Sequence, residues 1–378
     1  MPRLAERGQD PSPTVVASVV VPSFQGAHRL GPLLEALLAQ EPGFIWELIV
    51  VVDGSTDNTQ QLLSSYQEKL PIRILSHTEP QGAAAALMTG FAAAQGTYLI
   101  RCDDDLSPRP DFLRSHVAAH EGRSDRAVIG LTRDVFPATR YADVYGTPAN
   151  RRARDAAYSR PVRQRWMHWA ANNSLHRDTW AAHGGFNPHF AYGEDYELGY
   201  RLAQAGLEFI IAPELELDHR GPATSCATRV PRAFVSGAAQ RMFSAVHPRA
   251  HMSSVQPNTA KARVWSVAVR SLAAVVRSPQ HYARLGSWAD RLIIVLPAPV
   301  AARLVAYLVE AAGASGRSFG SDDLTVYRGQ KQAELTRERR LAGRYRTGTV
   351  PGDEGPLGQS RHRRCQAPRT SSASKERR

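Results

Sequence analysis

The chain has 378 residues, 43% hydrophobic and 22% charged, an ordinary globular balance and enough length for one large domain with an appendage or for two modest domains. Its net charge of +12 is uneven: residues 317–378 hold 15 Lys/Arg against 7 Asp/Glu, and no basic stripe interleaved with aromatics marks the rest, so specific nucleic-acid binding is not expected. Three widely spaced cysteines, Cys102, Cys226 and Cys365, exclude a disulfide framework and a cysteine-rich zinc site.

Residues 1–13 are polar and Pro-rich and read as a flexible leader. No apolar segment precedes a cleavage site there, so the cytoplasm is the expected compartment, with attachment at the inner face of a membrane as the alternative. Residues 15–22 (VVASVVVP) form a β-branched run, apolar on both faces, which predicts a buried parallel strand. A helix follows over 30–40, then a second strand over 47–52 ending at Asp53-Gly54-Ser55, and a helix through Tyr66. Residues 72–76 predict a third strand, 83–95 an Ala-rich helix, and 97–101 (TYLIR) a fourth strand stopping at Cys102-Asp103. This alternation predicts an α/β, doubly wound sheet, with functional residues at the carboxyl ends of its strands.

Residues 112–165 read as helix and loop rich in Arg, and 172–188 as a Gly/Asn-rich loop. Residues 195–206 predict an amphipathic helix closed by Gly206, 208–212 a short strand, and 229–312 a mostly helical region. From 313 to 378 the composition turns to Gly, Ser, Arg, Pro and Gln, predicting a basic, largely disordered tail. The apolar stretch 292–302 is interrupted by Pro297 and Pro299 and followed by Arg303, too broken for a spanning helix of about 20 residues. A buried helix is expected there; peripheral attachment to a membrane surface is the alternative.

The chemistry concentrates in acidic residues. Neither a Gly-x-Gly-x-x-Gly turn nor a Walker lysine loop is present, so a bound diphosphate needs another counter-charge. Asp103, Asp104 and Asp105 stand together at a strand end, where three carboxylates require neutralisation; hard cations such as Mg²⁺ or Mn²⁺ take oxygen ligands and bridge carboxylates to phosphates. Glu194-Asp195 opens a helix, where capping is the plainer explanation, and His219 stands in LDHRG beyond the strand near Ile211.

Four segments together resemble the family 2 glycosyltransferases: SVVVPSFQGAHRLGPLLEALLAQ, ELIVVVDGSTDNT, GTYLIRCDDDLSPRPDFL and GGFNPHFAYGEDYELGYRLAQAG, spread over residues 18–225. The resemblance implies a GT-A nucleotide-diphospho-sugar transferase fold over 14–228. It also implies that Pro22, Ser23, Phe24, Asp53, Ser55, Gly82, Asp103 and Asp104 bind the donor, that Asp105 and His219 hold Mn²⁺ or Mg²⁺, and that Gly185, Phe186 and Glu194 contact the acceptor. Asp195 would be the catalytic base. The implied reaction is inverting transfer of a single sugar from an NDP-sugar, a UDP-sugar being favoured, to a hydroxyl-bearing acceptor. A nucleotidyltransferase on the same fold and an inactive GT-A-like binding protein are the alternatives. Two departures stand out: Glu79-Pro80-Gln81-Gly82 replaces the family's common Asn-Arg-Gly segment, and the Gln-x-x-Arg-Trp motif of processive members is not met.

Overall fold

The first two strands, β1 (Ala17–Ser23) and β2 (Trp46–Asp53), are buried along nearly their whole length. Successive side chains leave a strand on opposite faces, and both faces are covered here. Val19 and Val21 join Leu48 and Val50 in one apolar cluster, while Val20, Ile49 and Val51 join another. That double covering explains why these runs show no polar alternation. Between them lies α1 (Leu30–Leu38), which buries Leu30, Leu33, Leu34 and Leu37 on one side.

In a computed structural model, which describes residues 14–190, 192–250 and 259–321, the chain continues through α2 (Thr59–Ser64), β3 (Ile72–His77), α3 (Ala83–Ala93) and β4 (Tyr98–Cys102). It then runs through β5 (Leu106–Ser107), α4 (Phe112–Ala119), β6 (Arg126–Ile129), β7 (Thr132–Asp134) and α5 (Thr147–Tyr158). Next come β8 (Asn172–His176), α6 (Arg177–His183), α7 (Glu194–Gln204), β9 (Glu208–Ile211) and β10 (Leu217–His219). Four helices close the described part: α8 (Cys226–Val246), α9 (Ala260–Val275), α10 (Pro279–Val295) and α11 (Ala298–Phe319).

Seven strands form a mixed sheet in the order β3-β2-β1-β4-β8-β6-β9. The first four are mutually parallel; β8 runs antiparallel to both β4 and β6. Strand order turns between β1 and β4, so their carboxyl ends border the crevice in which such sheets bind ligands. A second, three-stranded sheet, β5-β10-β7, stands beside this crevice.

Two expectations need correction. Residues 172–176 are a central strand of the sheet, not a loop. The segment NNSLH reads as polar because its buried side chains are satisfied individually: His116 lies 2.9 Å from Ser174 Oγ and 3.0 Å from Asn172 Oδ1, and Asn172 Nδ2 donates to the Leu215 carbonyl at 2.7 Å. The helical region also does not stop at 312. α11 continues through Gly313 to Phe319 because its small residues form a packing face against α8. A Cβ on Gly316 would lie 1.9 Å from the Phe234 carbonyl oxygen, and one on Gly237 would lie 2.2 Å from that of Gly313. The two helices therefore meet backbone to backbone, and among the described residues the sheet and these helices lie within one compact unit. The expected leader, and the tail beyond 321, lie outside the described residues.

Candidate active site

The carboxyl end of β4 delivers the acidic cluster, and each of its three carboxylates goes a different way. Asp103 is held by Arg101, whose Nε donates to Oδ1 at 2.8 Å and whose Nη2 donates to Oδ2 at 3.2 Å. Arg101 is 4% exposed, an arginine inside an otherwise apolar strand, and its Nη1 donates to Asp195 in the first turn of α7. One buried guanidinium thus joins the first aspartate of the cluster to the expected base. Burial pushes Asp195 up to about 6, with Arg101 opposing, and burial together with Asp195 pushes Glu194 up to about 8.

Asp105 goes to the small sheet. β10 pairs with β5 on one side and β7 on the other, setting His219 opposite Leu106 and opposite Asp134. His219 Nε2 lies 3.3 Å from Asp105 Oδ2, and its Nδ1 lies 2.7 Å from Asp134 Oδ1. Burial opposes a charge on this imidazole, but the hydrogen bonds from Asp105 and Asp134 outweigh it and push the ring up to about 10. Asp105 and Asp134 thus flank the ring on both sides, and a cation bound between Asp105 and His219 would displace the proton on Nε2. Gly221 makes room beside the pair: a Cβ there would lie 2.0 Å from Asp105 Oδ2. Arg220 turns away, its Nε donating to Ser107 Oγ at 2.8 Å.

Asp104 departs from the expected donor-binding role. It is 7% exposed and accepts from Ser23 Oγ at 2.7 Å and from Arg29 at 2.9 and 3.1 Å, so it secures the loop after β1 from inside the fold. Burial pushes its carboxyl up and Arg29 pulls it down. Ser23 is correspondingly turned to Asp104, while Pro22 and Phe24 remain half-buried at the end of β1. Ser55 Oγ accepts the Gln25 N–H at 2.9 Å, tying the loops after β1 and β2 together. Asp53, 4% exposed, accepts the Gln81 N–H at 2.8 Å and the Gly82 N–H at 2.7 Å, and its Oδ1 lies 2.7 Å from His77 Nδ1. The Glu79–Gly82 segment is thus anchored on Asp53 through its backbone, with Gly82 at φ +102 opening α3.

Residues 18–173 match the family model described as glycosyl transferase family 2. That stretch is a family 2 glycosyltransferase domain. The match includes Asp53 and Asp103–Asp105 but ends before Asp195 and His219, whose place beside the cluster is a matter of geometry. Over 226 residues the chain is 28% identical to validoxylamine A glucosyltransferase of Streptomyces hygroscopicus subsp. jinggangensis, covering 52% of this chain and 53% of that protein. Over 134 residues it is 34% identical to dolichyl-phosphate beta-glucosyltransferase of Drosophila melanogaster, covering 32% of this chain and 41% of that protein. The chain thus spans about half or less of these curated relatives. Among solved structures it is similar to the mannosyltransferase PcManGT from Pyrobaculum calidifontis, in complex with GDP-Man and Mn²⁺: 21% identity, TM-score 0.52, 81% of this chain and 88% of that one. The fold is GT-A.

Downstream of the matched stretch, the expected acceptor residues separate. Glu194 stays beside Asp195 at the start of α7. Phe186 is 5% exposed, its ring 5.5 Å from Trp180, and Gly185, at φ +67, is pressed against Met88 and offers its carbonyl to Arg201. Gly185 and Phe186 are therefore core and turn residues that seat the loop before α7. Arg201 also holds Glu197, 1% exposed, at 2.8 and 3.0 Å, which fixes the base of α7.

Sequence reading missed Arg101 and Asp134. A single charge within TYLIRC just ahead of three aspartates was a usable signal for Arg101. Asp134 carried none, because the three-residue strand that places it is invisible to periodicity. A cavity lined by Ser107, Arg133 and Asp218 also opens on the small sheet, but its lining includes none of the candidate site residues.

Proposed function

We propose that this protein transfers a single sugar from an NDP-sugar to a hydroxyl-bearing acceptor with inversion, assisted by Mn²⁺ or Mg²⁺. One observation carries the reading: from a single strand end, Asp103 reaches through Arg101 to Asp195, while Asp105 reaches through His219 to Asp134. On this reading, the end of one strand serves both a carboxylate for proton abstraction and a pair that binds the cation.

Asp105 and His219 fit a divalent cation. Their facing atoms, 3.3 Å apart, are close to the roughly 3 Å edge of an octahedron with bonds of about 2.1 Å. The far nitrogen of His219 meets a carboxylate, the arrangement that orients metal-bound imidazoles. Among the described residues no group of three or more His, Cys, Asp or Glu side chains could hold the ion alone. The remaining positions fall to donor phosphates and water, as is usual for cations that engage nucleotides. The fold relative solved with GDP-Man and Mn²⁺ supports the same pairing of ion and nucleotide sugar. When bound, the cation supplies Lewis-acid stabilisation of the departing diphosphate.

The chain's own residues supply the rest. Asp195, oriented by Arg101, takes the proton of the acceptor hydroxyl. The acceptor oxygen forms its bond to the anomeric carbon as the bond from that carbon to the diphosphate oxygen breaks, and the nucleoside diphosphate leaves with inversion. Asp53 and the loops after β1 and β2 form the nucleoside side, with a UDP-sugar as the first donor to assay.

The test is nucleoside diphosphate release from NDP-sugars with Mn²⁺ or Mg²⁺. Activity that survives excess chelator, or that is unchanged in Asp195→Asn, refutes the mechanism. Release of inorganic diphosphate from a nucleoside triphosphate would establish a nucleotidyltransferase instead.

A further inference from the structure

We propose that the outward face of α10, with the turn that follows it, docks the protein on an anionic lipid surface. α10 buries Tyr282, Gly286, Ala289 and Ile293 against its neighbours. On the opposite face Arg284, Trp288, Arg291, Leu292 and Val295 recur at helical spacing, all exposed. Trp288 is 62% exposed, Leu292 47% and Val295 78%. Ile294 near the end of α10 and Val300 in the first turn of α11 are exposed as well, on either side of the Leu296-Pro297 connection.

This is a concentrated feature. Of the fourteen large hydrophobic side chains exposed among the described residues, nine lie within 259–321. The same stretch holds 8 Lys/Arg against 2 Asp/Glu. Both acids already have partners: Asp290 accepts the N–H groups of Cys226 and Ala227 at the start of α8, and Glu310, exposed on α11, accepts the Trp265 indole N–H at 2.7 Å. The face is thus apolar and positive. Arg140 donates to the Ile293 and Leu296 carbonyls at 3.1 and 2.9 Å, so the end of α10 is braced from behind.

An indole and aliphatic side chains flanked by arginines suit the boundary between headgroups and acyl chains, where apolar area and attraction to anionic lipid add. A nucleic acid would leave the aliphatic groups unused. A second copy related by a twofold axis would oppose Arg284 and Arg291 to themselves. No helix among the described residues is long and apolar enough to cross a membrane, so contact is with the surface. α9 exposes a second apolar stripe, Val264, Val267 and Val275, with Lys261, Arg263 and Arg270 on the same helix.

The experiment is co-sedimentation of the full chain with phosphatidylcholine vesicles, with and without phosphatidylglycerol, for the wild type and for the triple variant Trp288→Ser, Leu292→Ser, Val295→Ser. The wild type is expected to pellet with phosphatidylglycerol vesicles, more weakly without that lipid, and to be released by salt. The variant should lose about tenfold of its partition at an unchanged melting temperature, because the removed groups are already exposed. A wild type that stays in the supernatant with both vesicles overturns the proposal. So does a variant that pellets equally well, which would place the contact elsewhere. A variant that converts a lipid-free dimer to a monomer would show the face to be a protein contact and refute lipid docking. Sugar-transfer activity does not enter any of these outcomes.

Discussion

Arg101 reaches from the buried end of β4 to the carboxylate of Asp195 at the start of α7, and grips Asp103 with its other edge. Arginine keeps its charge at any accessible pH, so Asp195 is held by a partner that does not titrate. Arg101→Met removes this hold and leaves two neighbouring carboxylates without their cation. The expected result is a fall in kcat of about 100-fold or more, with the acid limb of the pH profile moved to higher pH. Arg101→Lys, which keeps the charge but not the fork, should recover part of the loss. A wild-type kcat in Arg101→Met would show that Asp195 does not depend on it.

As the proposed base, Asp195 acts only when ionised. Burial, the largest influence on Asp195, moves it up to about 6 from the ordinary carboxylate range near 4. Activity should therefore fall as pH drops through about 6, two units earlier than for a solvated aspartate. Rates of nucleoside diphosphate release between pH 5 and 8 decide this, and a flat profile down to pH 5 contradicts it.

Glu194 makes a stability prediction of the opposite sense to the usual acidic residue. Its folded-state value, raised to about 8 by burial and Asp195, lies above an unfolded value near 4.3. The folded state binds its proton more tightly, so the stabilisation is complete below about 4 and is lost as pH rises through about 8. Glu194→Gln, neutral throughout, should raise the melting temperature relative to wild type more at pH 8 than at pH 4. Equal differences at the two pH values would mean that Glu194 is not held in its neutral form.

Asp134 faces the nitrogen of His219 turned away from Asp105. Asp134→Asn keeps the size but removes the charge that orients and polarises the ring. Mn²⁺ affinity in the presence of nucleoside diphosphate should drop about 10- to 100-fold. Calorimetric titration gives the number, and an unaltered affinity would remove His219 from the ion site.

The α8–α11 contact predicts a contrast between two glycines of one helix. Gly316→Val drives a side chain into the Phe234 carbonyl and should destabilise by about 3 kcal/mol or more. Gly313→Ala meets its nearest neighbour at an ordinary 3.6 Å and should stabilise by about 0.5–1 kcal/mol through helix propensity. Urea unfolding of the two variants tests the pair.

Much of the first half of the sheet was legible because its strands are buried on both faces: continuous runs such as ELIVVV have one reading, and Asp53 and Asp103 fall at their ends. The remaining elements escaped for physical reasons. Asn172–His176 buries polar atoms that are satisfied only by His116, His120 and Leu215, partners brought from far along the chain. Gly313 and Gly316 read as a helix breaker and a loop, yet the missing side chains are what let α11 approach α8. Asp104 shared the chemistry of its neighbours, and only Arg29, 75 residues away, shows that it points inward.

The three-stranded sheet has a consequence for the order in which the protein is made. Asp105 and His219 are separated by more than a hundred residues, and β5 and β10 touch over only two register pairs. Contacts of such long sequence separation form late, after the intervening chain has been laid down and folded. A nascent chain ending before β10 can complete the parallel strands around Asp53, yet it lacks His219 and the partner strand that aligns Asp134. The proposed ion site is then the last part of the domain to be completed, and a shortened or stalled product would retain the crevice without it.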